Sequence, residues 1–259
     1  MVQDEMSDKV VPFPRRREGA GKSDNSWIKH GFVARVVGSQ MAAYRYLHPD
    51  HRILLVDGNA GDGLGVPQAQ GDLFGSEPLS RPTPRLMTDL AAADGNADVC
   101  LCETDRRKRA ALYSRFGHML GVTVIADNCE AARALDNKHR YAIWLSDPCG
   151  PKGHGVQHMR TFAARLPCDF VVIFNERSTE RIAATCQPNV AWQTSRRLYA
   201  PMLDPQWWLD GFRKRYLARS RLIQQSPNFG YRVMVISNYL ADAARREPFT
   251  EIIERSNSA

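Results

Sequence analysis

The stretch ILLVDGNAGDGLG, Ile53 to Gly65, decides how this chain folds. Four apolar residues run into an acid, Asp57, and four glycines are packed behind it. A short apolar run closed by glycine reads as a buried strand, Ile53–Asp57. Glycines at its end allow positive φ and let backbone approach a ligand closely. The turn is therefore either a tight bend into a helix or a cradle, and the surrounding chain has to distinguish the two.

Working outward, Trp27 to Tyr46 carries apolar residues at helical spacing and stops at the turn His48-Pro49-Asp50. Val66–Pro84 is a Gly/Pro/Ser-rich loop, and Arg85–Ala93 a helix. Strands are expected at Val99–Glu103, Val122–Asp127, Tyr141–Asp147, Asp169–Asn175 and Tyr231–Tyr239. Helices are expected at Asp105–Leu120, Cys129–Leu135, from Gly155 to Leu166, and at Asp204–Leu222. Short apolar strands alternating with helices predict an α/β fold, a mostly parallel sheet with helices on both faces. Right-handed crossovers then bring the strands' C-terminal ends to one edge.

Acids recur at that edge. Glu103 ends the second strand, in VCLCETD, where a carboxylate accepts both hydrogens of a ribose diol. Asp127, in IADNCEA, is placed to accept from an adenine amine, and Asp147 and Asn175-Glu176 close the fourth and fifth strands. The glycine order Gly58-x-x-Gly61-x-Gly63 is not the dinucleotide order GxGxxG. Nor is Gly21-Lys22-Ser23 a P-loop, because Arg16 stands where its first glycine belongs.

With DGNAGDG, CETD, ADN and SDPCGP in place, the chain resembles the class I S-adenosylmethionine-dependent methyltransferases, whose sheet is Rossmann-like. More narrowly, it resembles the three-Cys-motif partner (TcmP-like) group and nucleic-acid methyltransferases. That likeness rests on Lys29 in the first helix, GSEPLSRP at Gly75–Pro82, DPCGPKG, and the closing WWLDGFRKRYL and YRVMVISNY. The resemblance implies S-adenosylmethionine as cofactor. It places Asp57, Ala60, Gly61 and Gly63 around the methionine part, with Gly58 and Asn59 also in the cofactor-binding turn, Glu103 on the ribose, and Asp127 and Asn128 at the adenine. Asn59 stands where the family usually has glycine or phenylalanine.

The same resemblance makes Asp147, Pro148 and Gly150 the catalytic edge, and Cys149 and Glu176 are further catalytic candidates there. Two chemistries stay open there. Asp147-Pro148 can hold a target amine by its hydrogens and leave the nitrogen lone pair free, although the usual stacking aromatic is absent. Alternatively, the Cys149 thiolate can add to a pyrimidine ring with Glu176 beside the ring. Cys149 also fits as a small residue in a tight turn. Lys152 and His154 follow as substrate-side groups, with His158, and a loop histidine can act as a base near neutral pH. No His/Cys/Asp group has metal-ligand spacing.

The net charge is +7, and its location matters more than its size. Between Arg177 and Arg232, Arg196, Arg197, Arg213, Lys214, Arg215, Arg219 and Arg221 are interleaved with Trp192, Tyr199, Trp207, Trp208, Phe212 and Tyr216. Such a surface fits nucleic acid, DNA or RNA; a solvated helix face with its aromatics turned inward is the other reading. The expected domains are a disordered tail over 1–26 and one methyltransferase domain over 27–259, with a basic aromatic extension around 177–230. Base methylation of DNA or RNA leads. A small-molecule or protein methyltransferase and a non-catalytic cofactor-binding module are the alternatives. With no separate recognition domain evident, specificity is low or borrowed from a protein partner. No apolar run approaches the roughly 18 residues of a membrane span. The six cysteines show no disulfide framework, which fits a reducing cytoplasm.

Overall fold

The computed structural model describes residues 26–64, 82–126, 138–147, 155–174, 217–226 and 229–237. In chain order these hold α1 (Ser26–Leu47), β1 (Arg52–Asp57), α2 (Thr83–Asp94), β2 (Ala97–Cys102), α3 (Arg106–Phe116) and β3 (Val122–Ile125). They continue with β4 (His139–Ser146), α4 (Val156–Ala163), β5 (Cys168–Phe174), β6 (Leu217–Ser226) and β7 (Phe229–Ser237). The strands form one sheet in the order β3-β2-β1-β4-β5-β7-β6. β1 through β5 pair in parallel, and β7 runs antiparallel to both β5 and β6.

Burial on both faces explains why the strands read as apolar runs. Side chains alternate across a strand, so Ile53 and Leu55 of β1 join one core while Leu54 and Val56 join another. The first core takes Val33, Val37 and Met41 of α1, Met87 of α2 and Leu112 of α3. The second takes Met159 and Phe162 of α4, with Trp144 of β4 edge-on to Phe162 at a centroid distance of 5.0 Å. Cys100, Cys102 and Cys168 are buried thiols in the strands, outside any disulfide, and burial pushes the Cys168 thiol well up.

Local chemistry sets the helix ends. α2 starts at Thr83 rather than Arg85, because Pro84 sits in the first turn, where a missing N–H costs nothing. It stops at Gly95, φ 74°, whose N–H donates to the Ala91 carbonyl. Asp105 caps α3 by accepting from the N–H groups of Arg107 and Lys108 at 2.8 and 3.1 Å.

The sheet's N-terminal edge is closed by ion pairs. Asp98 of β2 accepts from Arg52 of β1 at 2.8 and 2.7 Å and meets His139 Nε2 of β4 at 2.8 Å, with Lys138 Nζ at 3.0 Å. Arg45, at the end of α1, donates to both carboxylate oxygens of Asp94 and to the carbonyls of Pro49, His51 and Asn96. Three strands and the ends of two helices are thereby fastened on the side away from the glycine turn.

One expectation is overturned. Leu217–Leu222, expected as the end of a helix over Asp204–Leu222, lies in strand β6, while residues 204–216 are outside those described. Antiparallel pairing with β7, Leu217 to Ser237 through Ser226 to Phe229, outweighs the local helical pattern. Pro227-Asn228, a residue that cannot continue a helix followed by a turn former, was the available sequence signal. The short helix expected over Cys129–Leu135 falls outside the described residues. No helix among the described residues is long and apolar enough to cross a membrane.

Candidate functional site

Strand order reverses between β1 and β4: β2 and β3 continue one way from β1, and β4 and β5 the other. In open α/β sheets, ligands bind outside the carboxyl ends of the strands at such a switch point. The turn after Asp57 lies there.

The backbone of this turn is bonded to both neighbouring strands. The Gly58 N–H donates to the Leu145 carbonyl of β4 at 2.8 Å, and the Ala60 N–H to the Cys102 carbonyl of β2 at 3.0 Å. Asp57 is fully buried, and its Oδ1 accepts the Asn59 N–H at 3.1 Å. Gly61 and Gly63 adopt φ 68° and 70°, the left-handed region that glycine enters without penalty. Asp62 Oδ1 accepts the Leu64 N–H at 3.0 Å, and Arg115 of α3 donates to the Asp62 carbonyl at 2.9 Å.

The glycines serve different needs. A Cβ on Gly58 would lie 2.6 Å from Trp144 Nε1, and one on Gly63 would lie 2.6 Å from Phe116 Cε2, so both are required by packing. A Cβ on Gly61 would meet no atom of the described residues within 4 Å. Among the described residues the turn is thus packed tightly at Gly58 and Gly63 and open at Gly61.

Glu103 follows β2 and is half-buried; its N–H donates to the Ile125 carbonyl of β3 at 3.1 Å. Its Oε1 accepts the Asp105 N–H at 2.8 Å, which orients the carboxylate beside the turn. Asp147 follows β4, half-buried, and its N–H donates to Asn59 Oδ1 at 3.1 Å. The structure therefore brings Asp57, Gly58, Asn59, Ala60, Gly61 and Gly63 together with Asp147 and places Glu103 on the adjacent strand end. Asp127, Asn128, Pro148, Cys149, Lys152, His154, Glu176, Arg196 and Arg197 lie outside the described residues.

Three contributors escaped the sequence reading. Arg115 holds the turn from 53 residues away, Ser146 donates to Asn59 Oδ1 at 3.4 Å, and Trp144 packs under Gly58. Nothing local in the sequence marks Arg115. The run of β4 into SDP is the signal that pointed to Ser146.

No family model matches this chain, and neither does any curated protein sequence. Among solved structures it is similar to protein LPL1258 from Legionella pneumophila str. Philadelphia 1, with 13% identity and a TM-score of 0.52 over 82% of this chain and 84% of that one. The fold is Rossmann-like: a mostly parallel sheet with β7 inserted antiparallel between β5 and β6. Lower TM-scores relate the chain to the plantazolicin methyltransferase BpumL in complex with SAH (0.45; 9% identity; 83% and 86% covered). An rRNA methylase from Streptococcus thermophilus follows (0.41; 13% identity; 87% and 99% covered).

Proposed function

We propose that this chain is an S-adenosylmethionine-dependent methyltransferase acting on a base in DNA or RNA. One observation carries the reading: the glycine turn at the sheet's switch point is, among the described residues, open at Gly61 and has the Glu103 carboxylate on the next strand end. The residues present fit the cofactor. Buried Asp57 fixes the turn, Gly61 leaves room for a ligand atom where any side chain would intrude, and Glu103 offers carboxylate oxygens to a ribose diol. Bound there, S-adenosylmethionine supplies an electrophilic methyl group.

The chain's own residues then hold and orient the acceptor. Asp147 and Pro148 present a target amine by its hydrogens, or Cys149 acts as a thiolate with Glu176 at the ring; Asp127 and Asn128 receive the adenine. The nucleic-acid part of the reading gains support on α3. Arg106, Arg107 and Lys108 are exposed in its first turn, next to Glu103 on the ligand-bearing edge, with Tyr113 65% exposed further along the helix. Cations in a first turn oppose the helix dipole, so helix stability does not account for them. A phosphate backbone does, and exposed Tyr113 suits a stacked base. Arg196, Arg197, Lys152 and His154 would extend that face. The TcmP-like reading of the subgroup stands on GSEPLSRP and DPCGPKG.

Titration calorimetry with S-adenosylmethionine tests the root. The wild type is expected to bind, and Glu103→Ala to bind roughly 10-fold or more weakly, the worth of hydrogen bonds to a charged group. No binding, or binding indifferent to Glu103→Ala, refutes the site. Mass spectrometry of nucleosides from cells expressing the protein names the acceptor, and absence of any methylated nucleoside moves the reading to a small molecule or protein. Full activity in Cys149→Ala rules out the thiolate route.

A further inference from the structure

The β1–β4 ladder ends where the Gly58 N–H meets the Leu145 carbonyl. Backbone groups of a strand alternate in direction, so the next β4 donor facing β1 is the N–H of Asp147. β1 has already turned away there, and among the described residues no strand continues the ladder. Asn59 Oδ1 takes that donor at 3.1 Å, and the Ser146 hydroxyl, from a fully buried residue, reaches the same oxygen at 3.4 Å. The Asn59 backbone is itself fixed, since its N–H donates to Asp57 Oδ1 at 3.1 Å. One carboxamide thus stands in for the missing strand and ties two segments 88 residues apart.

We propose that Asn59 is a positioning residue, whose carboxamide holds the exit of β4 against the first turn and so sets the separation between the cofactor cradle and the reaction edge at Asp147. This rests on the methyltransferase reading above. Asn59 acts through the Asp147 N–H. Its removal lowers turnover. A side chain without an acceptor releases the Asp147 N–H; an aspartate keeps an acceptor oxygen of the same length.

The test compares wild type, Asn59→Leu and Asn59→Asp, with Asn59→Ala as a second acceptor-free variant should leucine disturb the turn. Amide hydrogen exchange is read residue by residue without ligand. The Asp147 amide is expected to exchange about 10-fold faster in the acceptor-free variants, with the Gly58 amide unchanged and Asn59→Asp still protected. Labelled methyl transfer from S-adenosylmethionine to total cellular RNA is expected to fall by roughly 10- to 100-fold in kcat in those variants. Asn59→Asp should recover turnover. Unchanged exchange at Asp147, or equal turnover loss in Asn59→Asp and Asn59→Leu, overturns the proposal. Failure of the wild type to bind S-adenosylmethionine overturns the cofactor reading instead, and the exchange measurement still decides the tie at Asn59.

Discussion

Gly63→Ala is expected to lower the unfolding free energy by about 3 kcal/mol, the sum of a left-handed backbone penalty and an overpacked contact. Gly63 has φ 70°, and its added methyl would sit 2.6 Å from Phe116 Cε2 and 3.0 Å from Leu112 Cδ2. Both neighbours are buried in the core beneath α3, so neither moves freely. Gly61→Ala is the control. Its φ of 68° carries the same backbone penalty, but its methyl meets no atom of the described residues within 4 Å. That variant should lose only about 1 kcal/mol while its methyl enters the space over the turn. Urea titration should rank Gly63→Ala well below Gly61→Ala in stability. Calorimetry with S-adenosylmethionine should find Gly61→Ala strongly impaired despite its sounder fold. Equal stability of the two variants would contradict the packing described for Phe116.

Asp98→Asn is expected to cost about 2 to 3 kcal/mol, less than a fully buried pair because two of its partners are half exposed. Burial is the largest influence on Asp98 and raises its pKa, but the hydrogen bonds from Arg52, Lys138 and His139 together outweigh it and hold the carboxyl well below the ordinary aspartate value. A depressed folded pKa means the unfolded chain takes up the proton first. The stabilisation is therefore complete above the unfolded value of about 3.9 and drains away as pH falls below it. Urea midpoints of wild type and Asp98→Asn should differ fully at pH 7 and converge toward strong acid. A constant gap across that range would show that the charge of Asp98 contributes nothing.

The sheet was legible because β1, β4 and β5 are buried on both faces, so burial alone forced near-continuous apolar runs in RILLVD, HRYAIWLS and CDFVVIF. β6 was not, since LARSRLIQQS mixes charge with apolar residues and becomes a strand only because β7 offers it a backbone partner. The site divides in the same way. Asp57, Gly61, Gly63 and Glu103 could be found because each sits at the end of a recognisable strand. The uses of Asn59 and Arg115 depend on partners 88 and 53 residues distant, which no local pattern encodes.

The insertion of β7 between β5 and β6 has a consequence for synthesis. The chain emerges from its N-terminus and domains fold as they appear, yet β6 is made before the strand that connects it to the sheet. Throughout that interval β5, with all seven residues destined for burial, presents an uncapped edge. Such an edge is a template for pairing with another chain. Pairing of Phe229–Ser237 with β5 closes that edge.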